Sequence, residues 1–346
     1  MNKLNVIGID LAKNIFQISC VDSTQRTEVL NKAIKRKDLL NFMRNQRKSR
    51  VFMEACGGAH YWARQIQLLG HEVHMIAPQF VKPFRKGHKT DANDALAIAE
   101  AGMRVDMRFV PLKTLEQQDV QAIHRVRERL IKQRTQIINQ THAILLEFGI
   151  ASAKGQPALR RTVQLALEDA ENELSPVMRA LLSEQMQEIN VLNERLKQMD
   201  LQVTQLSRSI SACALISELE GIGPVTATML YSALGDCKAF KRGREASAYI
   251  GVTPKQFSSG GKANLMGIGR TRHVTLRAAL VRGALAVIKM LGDKQDAKSR
   301  WLRELIARAG KSKAAVALVN KTVRTAWALM SKQEAYDVHY RSSASV

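Results

Sequence analysis

Two closely spaced strands at the N-terminus constrain the fold of this chain most strongly. Leu4 to Asp10 is an apolar run that ends in an acid, and Ile15 to Val21 alternates apolar and polar residues. The gap between them is too short for a helical crossover, so they must pair as a hairpin. Further strands are predicted near Thr27 to Asn31, Arg50 to Glu54 and His71 to Ile76, with helices among them. The pattern predicts an α/β layer with a mixed sheet.

The remainder of the chain has helical periodicity. Apolar residues from Ile189 to Ile210 recur alternately three and four positions apart, which is a heptad seam. The seam packs either within one chain or between two chains, and its place between two domains suits a dimerising arm. We predict four parts in chain order: an α/β domain over 1–113, a long basic helix over 114–148, a helical coiled-coil arm over 149–210, and a mainly helical domain over 211–346.

A large excess of cations limits the choice of partner. Lys and Arg number 53 against 31 Asp and Glu, which gives a formal net charge of +22. Because cations that neutralise phosphates release condensed counterions, this balance favours a nucleic acid. An anionic membrane surface fits less well, since no segment has the pattern of an interfacial anchor or a membrane span. The N-terminus also lacks a signal-peptide pattern, which predicts a cytoplasmic protein.

Four acids occupy positions from which their side chains can converge. Asp10 and Glu54 each end a predicted strand, while Asp91 and Asp94 lie three apart at the start of a helix. Taken alone, the last two are typical of helix-start acids that favour the helix dipole. An acid directly after an apolar strand is harder to explain structurally, because its burial is costly. Four converging carboxylates predict a site for Mg²⁺ or Mn²⁺, whose preferred ligands are hard oxygens.

A turn-rich stretch runs from Gly251 to Lys262, where Pro254 and a glycine pair interrupt regular structure. Ser258 and Ser259 lie within it, and basic residues follow. A serine among cations can meet a phosphate, but by composition alone a polar surface loop is the better interpretation.

Other segments offer contacts to phosphate groups, each with a structural alternative. The cations before Asp91 form a basic cluster next to the acids, and we favour a nucleic-acid contact over a solvated loop there. The basic side of the long helix is equally well explained as a solvated face. Gly221 and Gly223 form a turn that either presents amides to a phosphate or packs two helices tightly. The predicted nucleic-acid contacts are Lys82, Arg85, Lys86, Lys89, Arg125, Arg129, Gly221, Gly223, Lys262, Arg270, Arg272 and Arg277.

Three N-terminal blocks together resemble a known family. Val6 to Lys13, Met53 to Gly58 and Lys89 to Ala95 are similar to the blocks of the DEDD transposases of bacterial insertion sequences, the one-ten and eleven-eleven family. The block from Gly251 to Lys262 resembles the serine-containing C-terminal signature of the same family.

The resemblance implies a fold and a reaction. It implies an RNase H-like, RuvC-like N-terminal domain in which Asp10, Glu54, Asp91 and Asp94 bind Mg²⁺. It also implies that Ser259 is the catalytic serine, although the adjacent Ser258 stays open. Donor and target DNA, an element-encoded guide RNA and a homo-oligomer, dimer or tetramer, are the partners it implies.

Two other functions fit the same residues. The first is a metal-dependent nuclease or Holliday-junction resolvase, in which water attacks the phosphate in place of serine. The second is a non-catalytic nucleic-acid-binding protein, which needs only the basic surface. A covalent protein–DNA adduct distinguishes the first from a serine recombinase, and substitution of the acids tests the second.

Overall fold

The computed structural model describes residues 5–269 and 273–337. The chain forms two compact units, of which the first ends at Thr114 and the second begins at Leu115. The first unit is an α/β structure, and the second is almost entirely helical. This confirms the predicted combination of an α/β N-terminal part with a helical C-terminal part. The finer division into four parts stays a prediction.

The first unit alternates strands and helices. Its elements in chain order are β1 (Asn5–Asp10), β2 (Ile15–Val21), β3 (Glu28–Lys35), α1 (Leu39–Arg44), β4 (Ser49–Glu54), α2 (Ala59–Leu68), β5 (Glu72–Ile76), α3 (Pro78–Val81), α4 (Asp91–Gly102) and β6 (Phe109–Val110). The strands form one sheet in the order β3-β2-β1-β4-β5-β6. β1 runs antiparallel to β2 and parallel to β4, so the predicted mixed sheet is confirmed.

Helices cover both faces of this sheet. α1 and α2 pack on one face, where Ile7 and Ile9 of β1 and Met53 of β4 are fully buried. α4 packs on the other face, where Val6 and Phe52 lie in its core. Because successive side chains of a strand point to opposite faces, the last residues of β1 and β4 point to the face that α4 covers.

The second unit contains two long helices. Its elements are α5 (Leu115–Glu147), α6 (Gln156–Glu168), α7 (Pro176–Ser209), α8 (Ser211–Ser217), α9 (Pro224–Leu234), α10 (Gly243–Ile250), β7 (Pro254–Ser259), β8 (Lys262–Ile268), α11 (Val274–Lys289), α12 (Ala297–Ala309) and α13 (Lys311–Lys332). Apolar side chains from α8 to α13 form one continuous core. β7 and β8 form a separate two-stranded sheet.

The heptad seam of α7 packs against α5 of the same chain. Leu192 and Leu196 of the seam share a core with Leu130 of α5. Polar contacts repeat along the antiparallel pair at seven-residue intervals: Arg127 pairs with Asp200 at 2.6 Å and Arg134 with Asn193 at 2.9 Å. Of the two arrangements that the sequence leaves open, the structure has the seam inside one chain, so this seam is not a free surface for a second copy.

Candidate active site

Two of the four predicted acids end neighbouring strands of the sheet. β1 and β4 are parallel, with Ile9 opposite Met53, so Asp10 and Glu54 follow at the same edge of the sheet. Both side chains lie on the face that α4 covers, and both are partly buried. Parallel strands carry their carboxyl ends to one edge, where functional crevices of α/β sheets usually lie.

A glycine brings α4 unusually close to β1. A Cβ atom at Gly8 would lie 2.3 Å from the carbonyl oxygen of Ala95 and 2.7 Å from the amide nitrogen of Ala99. Only a residue without a side chain permits this contact, which is the usual meaning of a glycine inside a strand. Gly8 therefore sets the distance between the strand that carries Asp10 and the helix that begins at Asp91.

The other two acids lie in the first turn of α4. Thr90 caps this helix, since its hydroxyl accepts a hydrogen bond from the amide of Asn93 at 3.2 Å. The cap fixes where the helix begins, and so places Asp91 and Asp94 in its first turn. The positive end of the helix dipole favours acids there.

The pKa values of Asp10 and Glu54 reflect burial and the negative charge of the other acids. Burial raises the pKa of Asp10 above its usual value, and the charges of Asp94 and Asp91 raise it further. Burial also raises the pKa of Glu54, with Asp10 and Asp94 acting in the same direction. The register of β1 and β4 and the close contact of α4 at Gly8 place these acids at one edge of the sheet. The structure thus brings the four sequence-predicted acids into one region.

Cations of the preceding loop offset part of this negative charge. Arg85 lies 3.4 Å from Asp94, and the charge of Lys89 lowers the pKa values of Asp10 and Glu54. Lys86 instead pairs with Glu100 at 2.8 Å, and Lys82 is exposed. Of the predicted basic cluster, Arg85 and Lys89 therefore face the acids.

The cluster fits a divalent cation in donor type and in charge. Its donors are carboxylate oxygens, which are the ligands that hard divalent cations prefer. Among the residues that the structure describes, no three acidic, histidine or cysteine side chains surround a common point closely enough to hold an ion. Binding an ion therefore requires the carboxylates to draw closer together than they lie here.

The predicted catalytic serine lies at the tip of a β-hairpin. Ser259 ends β7 and pairs with Lys262 of β8, and the two residues between them have φ angles of 56° and 77°. Such left-handed pairs make the two-residue turn that matches the twist of a hairpin, and glycine adopts them without strain. The turn expected at Gly260 and Gly261 is present, but it joins two strands that the sequence pattern did not reveal.

The hairpin tip is open to solvent. All residues of β7 are exposed, and among the residues that the structure describes no atom would lie within 4 Å of a Cβ atom at Gly260 or Gly261. The hydroxyl of Ser258 accepts a hydrogen bond from the Gln256 side-chain amide at 2.7 Å. The Ser259 hydroxyl makes no hydrogen bond within the described part of the chain, so nothing there holds or activates it.

The remaining predicted basic contacts fall into different environments. Arg125 and Arg129 of α5 are exposed, as is Lys262. Arg277 is only 6% exposed, and its guanidinium donates a hydrogen bond of 3.1 Å to the carbonyl of Ile250 at the end of α10. That position stabilises a helix end and leaves little surface for a nucleic acid. Arg270 and Arg272 lie outside the described residues.

The two glycines of the turn before α9 have different surroundings, which bear on whether this turn packs helices tightly or presents amides to a phosphate. A Cβ atom at Gly221 would lie 2.9 Å from the carbonyl oxygen of Gly283 in α11, so this glycine permits close helix packing. Within the described ranges, a Cβ atom at Gly223 would have no atom within 4 Å, and no side chain caps α9 there. Packing explains Gly221, whereas Gly223 stays open for a contact to a phosphate.

Two residues near these sites were missed by sequence reasoning. Gly8 interrupts an apolar strand, and a glycine inside a buried strand is itself a signal of close backbone approach. Phe257 lies two residues before Ser259 and is 66% exposed. An aromatic residue inside a polar, glycine-rich stretch was the available signal for it.

Two family models match this chain, one over each of these two regions. A transposase model, that of the IS110-type DEDD transposases, matches residues 7–150, which contain all four acids. A second model, described as the transposase IS116/IS110/IS902 family, matches residues 213–305, which contain Ser259.

Curated relatives match over nearly the whole chain. A "Probable family 20 transposase" of Pseudomonas aeruginosa is 41% identical over 96% of this chain and 98% of its own length. The "Transposase for insertion sequence element IS1111A" of Coxiella burnetii is 38% identical over 97% of this chain and 92% of its own. The "Transposase for insertion sequence element IS1328" of Yersinia enterocolitica is 37% identical, covering 96% of this chain and 98% of its own.

These matches place the chain among the transposases, which are enzymes that act on DNA. It belongs to the IS110 family of insertion-sequence transposases. No helix among the described residues is both long enough and apolar enough to cross a membrane.

Proposed function

We propose that this transposase cuts and rejoins DNA by divalent-metal-dependent phosphoryl transfer, with Ser259 as the nucleophile. The observation that carries the proposal is the cluster of four acids at one sheet edge, where burial and repulsion raise the pKa values of Asp10 and Glu54. Partly buried anions that repel one another are costly, and such groups are enriched where proteins bind a cation or do chemistry. The mixed sheet with helices on both faces supports an RNase H-like domain.

The acids would hold Mg²⁺ or Mn²⁺, which stabilises the negative charge that develops on a transferring phosphoryl group. Asp10 and Glu54 approach from the sheet, and Asp91 and Asp94 from the first turn of α4. Arg85 and Lys89 supply positive charge beside them, and with Lys82 and Lys86 they would contact the DNA backbone.

Ser259 performs the covalent step in this proposal. Its oxygen attacks the scissile phosphorus, a serine–phosphate bond forms, and the bond from phosphorus to the sugar oxygen breaks. The serine proton passes to a base, and the departing sugar oxygen takes up a proton. A deoxyribose hydroxyl of the second strand then attacks the phosphoserine and releases the serine, so the number of phosphodiester bonds is unchanged.

The surroundings of Ser259 suit an approach to phosphate. Lys262 lies directly opposite on β8, and directly paired residues have Cβ atoms about 5 Å apart on the same face. Its ammonium can therefore contact the phosphate that the serine attacks. The mechanism requires this phosphate to reach the acids as well, either within one chain or between two copies in a homo-oligomer. Exposed Arg125 and Arg129 and the amides after Gly223 are further candidates for backbone contacts.

Labelled insertion-element-end DNA tests the covalent step. The protein is incubated with this DNA and its element-derived RNA, with Mg²⁺ or with EDTA, and resolved on a denaturing gel. We expect label to stay on the wild-type protein and on Ser258→Ala, and to be lost in Ser259→Ala and in EDTA. Cleavage without any adduct would favour the water-dependent nuclease. Full activity of an Asp10→Ala variant would contradict the proposed metal-binding role of the acids.

The guide RNA is tested by removing it. Protein purified with nuclease treatment should lose site-specific recombination, and added element-derived RNA should restore it. The net charge of +22 also predicts binding that weakens steeply with salt. Correct recombination by RNA-free protein would contradict RNA guidance without affecting the serine chemistry.

A further inference from the structure

One face of the β7–β8 hairpin carries the proposed nucleophile together with apolar side chains. Side chains alternate along a strand, so Phe257 lies on the same face as Ser259. Phe257 pairs with Asn264 on β8, and Ser259 pairs with Lys262. The alternation along β8 puts Met266 on this face as well.

The apolar members of this face are exposed to a degree that is unusual for their size. Phe257 is 66% exposed and Met266 is 53% exposed. The Phe257 ring has no aromatic or cationic partner within the described part of the chain. Large exposed apolar groups that lie together usually mark a contact with another molecule.

We infer that Phe257 is a positioning residue on which one base of the DNA substrate, unstacked next to the scissile phosphate, stacks. This inference rests on the proposed function, since it deepens the role of the Ser259 hairpin. Two residues along a strand span about 7 Å, so a phosphate at Ser259 and a base at Phe257 belong to one nucleotide or to neighbours. Every base offers a π-face, so the contact would hold the strand without reading its sequence.

Charge on the same hairpin favours a nucleotide over an apolar protein surface as the occupant. Lys262 lies beside Ser259 at the tip, and Lys255 is exposed near the base of β7. A ring flanked by cations suits a base with its attached phosphates, as in proteins that bind single strands. A protein partner would have to bury these ammonium groups, which is costly without opposing acids.

Photocrosslinking of the full-length protein tests the contact directly. The probe is a short single-stranded oligodeoxythymidine that carries one 5-iodouracil, at elevated salt so that phosphate contacts elsewhere weaken. We expect the crosslink to map to the β7 peptide that contains Phe257. A crosslink that maps only to other segments would overturn the inference.

Variants separate stacking from burial of apolar surface. Phe257→Tyr keeps an aromatic ring and should bind the oligonucleotide like wild type. Phe257→Leu keeps an apolar side chain but should weaken binding roughly 5- to 150-fold, the range of a lost base–aromatic stack. The matched control is Met266→Leu on the same face, which should change binding less than about twofold. Equal binding by Phe257→Leu and wild type would overturn the inference.

Two further results keep this inference apart from its alternatives. The crosslink should persist in Ser259→Ala, because stacking needs no chemistry; if wild type forms no adduct while the crosslink to Phe257 remains, the serine mechanism fails and the stacking role stands. If Phe257→Leu and Met266→Leu both reduce the mass seen by light scattering and neither changes the crosslink, the face binds a second copy and the inference is wrong.

Discussion

The acid cluster and the serine hairpin carry the two halves of the proposed chemistry, and they are built in opposite ways. The acids lie at a sheet edge fixed by strand register, by a helix cap at Thr90 and by the close contact at Gly8. Ser259 ends the exposed strand β7, and a Cβ atom at either glycine of the adjacent turn would have no atom of the described residues within 4 Å. The strands and the helix that carry the acids are therefore positioned before any substrate binds, and only the carboxylate side chains have to draw closer around an ion. The hairpin tip as a whole has to be positioned by the substrate.

Substitutions in the two regions should therefore have different effects. Rigid packing around the acids links their geometry to the stability of the first unit, so that substitutions there change both folding and chemistry. The hairpin tip contributes little packing, so substitutions there should change chemistry alone.

The largest effect is loss of recombination, and it should occur in both regions. Asp10→Ala and Ser259→Ala should each reduce recombination at least about 100-fold, the scale for losing a group that stabilises or attacks the reacting phosphate. Ser259→Ala should form no covalent adduct at any metal concentration, because it lacks the oxygen that attacks the phosphate. Asp10→Ala keeps that oxygen. The assay is recombination of a plasmid that carries the element, with nucleic-acid binding measured in parallel. Normal recombination in either variant would contradict its assignment.

A pair of glycine substitutions separates the regions by stability. Gly8→Ala places a Cβ atom 2.3 Å from the Ala95 carbonyl, so it should destabilise the first unit by about 1–3 kcal/mol. The matched variant Gly261→Ala has open space but a φ of 77°, so it strains only the hairpin, by about 1–2 kcal/mol.

Urea unfolding followed by circular dichroism measures both variants. Gly8→Ala should shift the midpoint and Gly261→Ala should leave it nearly unchanged, because the hairpin adds little to the buried core. A midpoint shift for Gly261→Ala as large as that for Gly8→Ala would show that the hairpin is not the loosely attached element described above.

The pH dependence of stability tests whether the acids repel one another in the folded protein. The raised pKa of Asp10 means that the folded protein binds its proton more tightly than the unfolded chain does. This contribution stabilises the fold below the ordinary pKa of 3.8 and is lost as pH rises through the raised pKa. Without divalent cations, Asp10→Asn should therefore be more stable than wild type at pH 7. The gain in its free energy of unfolding should be smaller than the loss caused by Gly8→Ala.

The difference between Asp10→Asn and wild type should disappear as the pH falls below about 4, where the aspartate is protonated in both states. The control is Asp106→Asn, which removes an exposed acid outside the cluster and should leave stability unchanged. A destabilised Asp10→Asn at neutral pH would show that its carboxylate is well paired and that the repulsive cluster is wrongly described.

The smallest effect belongs to the neighbour of the nucleophile. Ser258 points to the opposite face of β7 and accepts a hydrogen bond from Gln256. Ser258→Ala should change stability by no more than about 0.5 kcal/mol and should keep most of the recombination activity. An adduct that maps to Ser258 in peptide analysis would reverse the assignment and leave the serine mechanism in place.

The sequence predicts the acid cluster well and the hairpin poorly, for physical reasons. Strand alternation and the acids at strand ends are local patterns, so they predict the sheet edge before any tertiary contact is known. β7 (PKQFSS) is short and fully exposed, and β8 (KANLMGI) does not alternate apolar and polar residues over its whole length, so neither has the period-two pattern by which a strand is recognised. From the sequence, Arg277 is one cation in a basic stretch. Only the fold shows that its side chain is buried and stabilises the end of α10.

The heptad seam of α7 shows a limit of a different kind. Its spacing predicts that a second helix packs against it, and α5 does so. Whether that helix belongs to the same chain depends on whether the segment that connects α5 to α7 through α6 is long enough to fold back. The heptad spacing carries no information about this connection. Any oligomer must then use surfaces other than this seam.

The open hairpin also gives the protein a convenient protease site. Lys262 follows directly after the two-glycine turn and is exposed, so trypsin can reach the chain next to Ser259 without prior unfolding of the core. DNA bound to this tip would shield the peptide bond that follows Lys262 from trypsin. Loss of tryptic cleavage at Lys262 therefore reports occupancy of the hairpin by substrate, and it does so equally in variants that cannot react.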